Sequence, residues 1–286
     1  MGDIVNTAIP ADSKLTETYV TALQERYPFL ELASIGHSVQ GKPLHALRLG
    51  AGEQKVLYVG THHSLEWITT LLLLKFAEEY CAGYESGQNV GCYDIGYLFE
   101  TRTILLVPML NPDGVDMVLS GRPEYAEWQA NARGVDLNHN YNAMWNQSKL
   151  MERDYGVIGP GPTRYGGKRP ESEPETGALC TLCRGLDLKL ALALHSQGEE
   201  IYYDFGGFTP KCSLAMAEIF STVTGYKIST PEGIASYAGF KDWFIYELNR
   251  PAFTIEVGLG KNPLPIGDFD GIYQKVRELL FTASLV

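Results

Sequence analysis

The chain has 286 residues, 45% of them apolar and 20% charged, with a formal net charge of -11. That length and composition suit a soluble globular chain able to build one large core, while an acidic balance without any basic run excludes a nucleic-acid footprint. The longest apolar stretch, residues 71–76, is far too short to span a bilayer.

Taken in chain order, Leu15, Tyr19 and Leu23 recur at helical spacing, and that helix should stop near Pro28. Residues 43–50 and 55–60 read as strands, and residues 66–80 as a helix. A buried strand over 103–110 runs into "NPDG", a turn signal. Residues 120–171 are irregular and rich in Gly, Pro, Tyr and Asn, which in a compact domain marks a functional loop region. Ser172 and Glu175 fit a capping box at the head of the next helix, with Pro174 tolerated in its first turn. A strand over 189–195, helices over 213–226 and 240–249, a strand over 251–258 and a final helix over 272–281 complete the pattern. Strands alternating with helices predict an α/β fold: one domain over residues 1–286, with a mixed, mostly parallel twisted central sheet and helices on both faces.

Ligands of such sheets bind at the carboxyl ends of the strands. There the sequence collects polar groups: His62, His63 and Glu66 after one strand, Asn111 and Asp113 after the next, then His195, then Glu256. His63 and Glu66 are three apart, so at a helix start they face the same way and can grip one ion. A distant His195 would complete a His, Glu, His set, the donor number of a catalytic zinc site. A metal lets water ionise near neutral pH, and a carboxylate such as Glu256 can accept and deliver the proton. The plainer reading is a capping Glu beside a core His. Cys180 and Cys183 fall at i, i+3 inside a helix, where they share a buried face.

These residues resemble the zinc carboxypeptidases. "HSLEW", "NPDG", "GVDLNHN", "SEPET", "LALALHS", "FKDWF" and "FTIEVG" follow that family's order, and "YPFLELASIGHSVQGKPLHALRLG" resembles its opening. The resemblance implies one zinc ion per chain held by His63, Glu66 and His195, with Glu256 as general base and His62 structural. It implies that Asn138 helps hold the substrate carboxylate. An arginine should polarise the scissile carbonyl. Arg133 is the nearest candidate, the family spacing falls closer to Gln129, and Arg122 and Arg164 are alternatives. Tyr237 stands near the place of a mobile catalytic tyrosine, three residues off the usual spacing.

Three departures bear on substrate. His139 stands where the family carries a carboxylate-gripping arginine, and imidazole offers no bidentate fork. Leu65 replaces another arginine. Lys241, immediately before Asp242 and Trp243, occupies the specificity position and suggests a negatively charged group on the leaving residue. "DLNHN", "PESEPET", "KDWFI" and "GKNPLP" resemble the bacterial γ-D-glutamyl-L-diamino acid peptidase branch, which implies peptidoglycan-derived peptides such as γ-D-glutamyl-meso-diaminopimelate as substrate. Rival readings are a zinc amidohydrolase releasing an acyl group from an amino acid, an ordinary metallocarboxypeptidase preferring acidic residues, and a metal-free peptide-binding module. The absence of a signal-peptide pattern in the given chain and five unframed cysteines lead to an expected cytoplasmic location, with neither membrane nor nucleic acid as partner.

Overall fold

A computed structural model describes residues 2–286. Helix α1 (Ser13–Arg26) starts on Asp12, whose carboxylate accepts from the Leu15 amide at 2.7 Å. Strands β1 (Glu31–His37), β2 (Pro43–Leu49) and β3 (Gln54–Gly60) follow, then α2 (Ile68–Ser86), α3 (Ile95–Thr101), β4 (Arg102–Val107) and α4 (Pro112–Leu119). The segment 120–173 holds only the short helix α5 (Trp145–Met151) and two single 3-10 turns. The chain finishes with α6 (Pro174–Arg184), β5 (Leu188–His195), β6 (Glu200–Tyr202), α7 (Ser213–Thr224), β7 (Lys227–Ser229), α8 (Phe240–Leu248), β8 (Ala252–Glu256) and α9 (Phe269–Ala283).

All eight strands form one sheet in the order β1-β2-β4-β3-β5-β8-β6-β7. The centre, β4-β3-β5-β8, is parallel; β2 joins β4, and β6 joins β8, antiparallel. Both faces are covered, and the strand alternation divides the core in two. Val56 and Tyr58 with Leu190, Leu192 and Leu194 pack on the side of α1, α2, α7 and α9. Leu57 and Val59 with Ala191 and Ala193 pack on the side of α6 and α8, against Leu179, Phe240 and Trp243. Small alanines on that second face let the α8 aromatics approach closely. Helix α2 is buried almost all round from Ile68 to Ala77, which explains its unbroken "LLLL" run. Each such leucine contributes about 1.5–3 kcal/mol on burial. Among the described residues, no helix is long and apolar enough to cross a membrane.

The structure departs from the sequence reading in several places. "NPDG" is a helix start rather than a free turn: the Asn111 side chain caps α4 by accepting from the Gly114 amide, and Pro112 takes the first helical position. The Ser172–Glu175 capping box does not form. Glu173 is the N-cap residue and makes no side-chain cap, because Glu175 turns inward to accept from the Val39 amide and from Asn131. The strand expected over 103–110 stops at Val107, ahead of Pro108, which has no amide to donate. The edge strands β1 and β7, the three-residue β6 and the short α3 and α5 carry too little periodicity to be read from the sequence.

Candidate metal centre and substrate cleft

Strand β3 reaches the site through a tight turn. A side chain at Gly60 would press to 2.6 Å from the Pro108 carbonyl oxygen, so only glycine fits. Thr61 then takes a φ of 54°, a left-handed conformation that a β-branched residue adopts at a cost. Its amide donates to Thr69 Oγ1 at 2.8 Å, its carbonyl accepts from the Asn111 amide at 3.1 Å, and its hydroxyl meets those of Thr69 and Thr70. This fully bonded, strained turn delivers His62 to one side and His63 to the other. His62 is wholly buried, with Nε2 at 3.0 Å from the Tyr141 hydroxyl, and burial lowers its pKa well below the ordinary imidazole value.

His63, Glu66 and His195 come together: one donor atom from each lies within 4.8 Å of the other two. His63 Nδ1 is 2.9 Å from Glu66 Oε1 and 3.3 Å from His195 Nδ1, and His195 Nδ1 is 2.9 Å from Glu66 Oε2. Two ring nitrogens thus face each other across a buried carboxylate. Glu66 Oε2 makes no hydrogen bond there, although it is shut off from solvent. An orphaned buried oxygen and two converging imidazole nitrogens fit a divalent cation with three protein ligands. His63 is held from behind: its Nε2 lies 3.1 Å from Asp136 Oδ1. Burial opposes charge on this imidazole, but Glu66 and Asp136 outweigh it and raise its pKa well above the usual value. Asp136 also accepts from the amides of Asn138 and Arg164. Burial would push its carboxyl up, yet the His63 and His139 imidazoles and these hydrogen bonds hold it far below the carboxylate range. Sequence reading gave Asp136 no role; a buried acid in an Asp-x-Asn loop was the available signal.

Glu256 ends β8, in register with His195 on one side and Glu200 on the other. Burial, and then the nearby Glu66 charge, raises its carboxyl pKa well above the ordinary value. It stands one strand away from His195, beside the three converging donors.

The other expected residues are spread around this cluster. Asn138 Oδ1 accepts from the Phe240 amide at 2.9 Å, leaving its NH2 group for another acceptor. His139 is buried, with Nδ1 3.4 Å from Ser148 Oγ; burial lowers its pKa against the pull of Asp136. Arg133 does not join the cluster. Its guanidinium is half exposed, lies 3.5 Å from Glu173, and lines a separate cleft with Tyr165, Lys168 and Arg169. Arg122 is exposed on the loop before Pro123. Arg164 stacks over the Tyr155 ring at 5.3 Å, and Gln129 reaches the site through its carbonyl, which accepts from the Ser64 amide at 3.1 Å. Tyr237 is partly buried and lines a 350 Å³ cavity. Lys241 is not the free cation that the sequence reading expected. As the second residue of α8 it points inward, 4% exposed, and its ammonium is bound to the Asp242 carboxylate and, at 2.6 Å, to the Asp204 carbonyl.

A family profile described as zinc carboxypeptidase matches residues 16–279. The chain is 37% identical to γ-D-glutamyl-L-diamino acid endopeptidase 1 of Lysinibacillus sphaericus over 299 aligned positions, covering 99% of this chain and 74% of that one. It is 35% identical to an uncharacterised protein of Bacillus subtilis strain 168, over 95% of this chain and 76% of the relative. In fold it is similar to bovine thrombin-activatable fibrinolysis inhibitor in complex with tick carboxypeptidase inhibitor, with a TM-score of 0.77 at 20% identity over 98% of this chain and 97% of that one.

Proposed function

This chain belongs to the zinc carboxypeptidase family, and from that premise we propose that it hydrolyses γ-D-glutamyl-L-diamino acid amide bonds, such as γ-D-glutamyl-meso-diaminopimelate, in peptidoglycan-derived peptides. The observation that carries the substrate reading is the 37% identity, along almost the whole chain, to a protein named for that bond. His139 in place of the family's arginine supports it, since a neutral buried imidazole does not clamp an ordinary C-terminal carboxylate. On this reading residues 1–286 form one catalytic domain.

His63, Glu66 and His195 would hold one zinc ion, which when bound supplies Lewis acidity at the scissile carbonyl and the attacking water. Asp136 fixes the ring of His63 by holding its Nε2. Glu256 takes a proton from water as the water oxygen bonds to the carbonyl carbon. It then passes that proton to the departing nitrogen as the C–N bond breaks, so hydrolysis regenerates the carboxylate. The burial of Glu256 favours its neutral form, which suits a group that must carry this proton between the two steps. Asn138, its oxygen tied to Phe240, offers its NH2 to a substrate carboxylate.

The test incubates the zinc-loaded protein with γ-D-glutamyl-meso-diaminopimelate and measures free diaminopimelate by mass spectrometry. Release is expected. Trimming of ordinary C-terminal residues without diaminopimelate release would assign an ordinary carboxypeptidase instead. Release of an acyl group from an N-acyl amino acid alone would assign an amidohydrolase.

A further inference from the structure

Past their last residues, β5 and β8 leave the sheet side by side, and their exits are tied together. The Val257 amide donates to the His195 carbonyl and the Gly198 amide to the Gly258 carbonyl, each at 2.8 Å. Side chains make a third tie. Ser196, the residue after His195, is buried, and its Oγ donates to Asn262 Oδ1 at 2.7 Å. Asn262 Nδ2 donates back to the Ser196 carbonyl at 2.6 Å. The same Nδ2 lies 3.5 Å from Glu66 Oε1.

The orientation of this amide follows from its partners. A backbone carbonyl only accepts, so the end of the amide that faces it must be the NH2 group. That group has two hydrogens. One serves the Ser196 carbonyl, and the other is free for the Glu66 carboxylate, which also only accepts. One side chain therefore grips the peptide unit that follows His195 and touches Glu66 directly. It comes from neither of their elements but from the loop after β8, the strand that ends in Glu256. We propose that Asn262 is a positioning residue of the metal centre: its amide locks the backbone after His195 and the carboxylate of Glu66 into one arrangement, so that their donor atoms converge. The inference rests on the reading that His63, Glu66 and His195 hold zinc. Without the amide, the Ser196 carbonyl and the Glu66 carboxylate lose a common partner, and ion binding has to order both. Such supporting partners are usually worth 10- to 100-fold in metal affinity.

The experiment measures zinc affinity by competition with a chromophoric chelator, at a temperature where circular dichroism shows each metal-free protein folded. Asn262→Leu keeps nearly the same volume without a polar atom, and its affinity should fall by about tenfold or more. Ser196→Ala removes one bond of the clasp and leaves both Nδ2 contacts, so its affinity should fall less. Lys261→Ala is the control: Lys261 is the exposed neighbour of Asn262 and pairs with Glu127 at 3.1 Å, and its loss should leave affinity unchanged. The visible spectrum of the cobalt-loaded protein supplies a readout that a loss of stability alone would not move. Its bands report the donor arrangement and should shift in Asn262→Leu but not in Lys261→Ala. Wild-type affinity or an unshifted cobalt spectrum in Asn262→Leu, or an equal loss of affinity in Lys261→Ala, overturns the proposal. If Asn262→Leu does not fold, Ser196→Ala against Lys261→Ala decides, and equal affinities overturn it. If the wild type binds no zinc, the metal reading fails and takes this inference with it; if the wild type binds zinc and Asn262→Leu matches it, only this inference fails.

Discussion

Two halves of the candidate site are built in different ways. His63, Glu66, His195 and Glu256 stand at the ends of β3, β5 and β8, which are hydrogen-bonded neighbours in the sheet. Their spacing is set by the ladder, about 4.8 Å from strand to strand, and by apolar strands with no other way to lie. Asp136, Asn138, His139 and Arg164 ride instead on the long segment between α4 and α6, which has almost no regular structure. That half is placed by polar bonds of long sequence reach: Asn138 to Phe240, the Asn140 side chain to Gly166 and Ser172, Asn131 to Glu173 and Glu175. The sheet half carries the charge that reacts; the loop half orients it and presents substrate groups. Substitutions in the first should therefore remove activity with little loss of fold, and those in the second should mix the two.

The sharpest form of that contrast is Glu256→Gln. It keeps shape and removes the acid/base function, so turnover should fall roughly 10²–10⁴-fold while bound zinc and the melting temperature stay close to wild type. Steady-state kinetics with metal analysis decides it. Near wild-type turnover would take the proton-carrying role away from Glu256.

Lys241 tests the opposite pole, a buried charge whose work is structural. Lys241→Met strips the ammonium from Asp242, whose carboxyl is pushed above its usual range by burial while Lys241, and after it the Gly239 amide, pulls it down. An uncompensated buried charge should cost about 3–5 kcal/mol in urea unfolding. A loss under 1 kcal/mol would mean that water reaches Asp242 and that Lys241 is free to meet substrate after all.

A pH dependence of stability should come from beneath the loop half. Glu175 is fully buried, and burial raises its carboxyl to about 7 despite hydrogen bonds from Val39 and Asn131. Its folded pKa lies above the unfolded value of 4.5, so the folded state binds the extra proton between the two. Stability is then full below pH 4.5 and declines as pH rises toward 7, by about 3 kcal/mol for this group alone. Glu175→Gln should flatten that slope in urea titrations at pH 5 and pH 7. An equal slope in wild type and variant would place the titration elsewhere.

The same division explains what could be read in advance. The parallel strands, α1, α2 and α7 to α9 follow from apolar runs and helical spacing. His63, Glu66, His195 and Glu256 stand out because an apolar strand ending in a ligand-type residue has no packing reason. The loop half left no such trace. Arg133 looks suitable by position and lies in another cleft against Glu173; Lys241 looks like a free cation and is buried. Both depend on which distant backbone comes near, a quantity that local pattern does not hold. The capping box at Ser172 fails for the same reason, since Glu175 finds better partners in Asn131 and Val39.

Asp136 is where the two halves meet, and it gives the finest test. It lies on the loop, yet its oxygen holds the Nε2 of His63 on the sheet side. A carboxylate in that place fixes the ring and makes its other nitrogen a better donor, so its loss usually weakens metal binding 10- to 100-fold. Asp136→Asn keeps one acceptor oxygen for His63 and the Asn138 amide and gives up the bond that the second oxygen accepts from the Arg164 amide, so the loop should loosen at most locally while zinc affinity drops by about tenfold, the low end of that range. Competition with a chromophoric chelator measures the affinity, and hydrogen exchange over residues 129–140 reports on the loop. If affinity holds and the loop loosens, the two halves are mechanically joined but chemically separate. If affinity falls and the loop stays protected, the irregular segment acts on the metal centre through this single carboxylate.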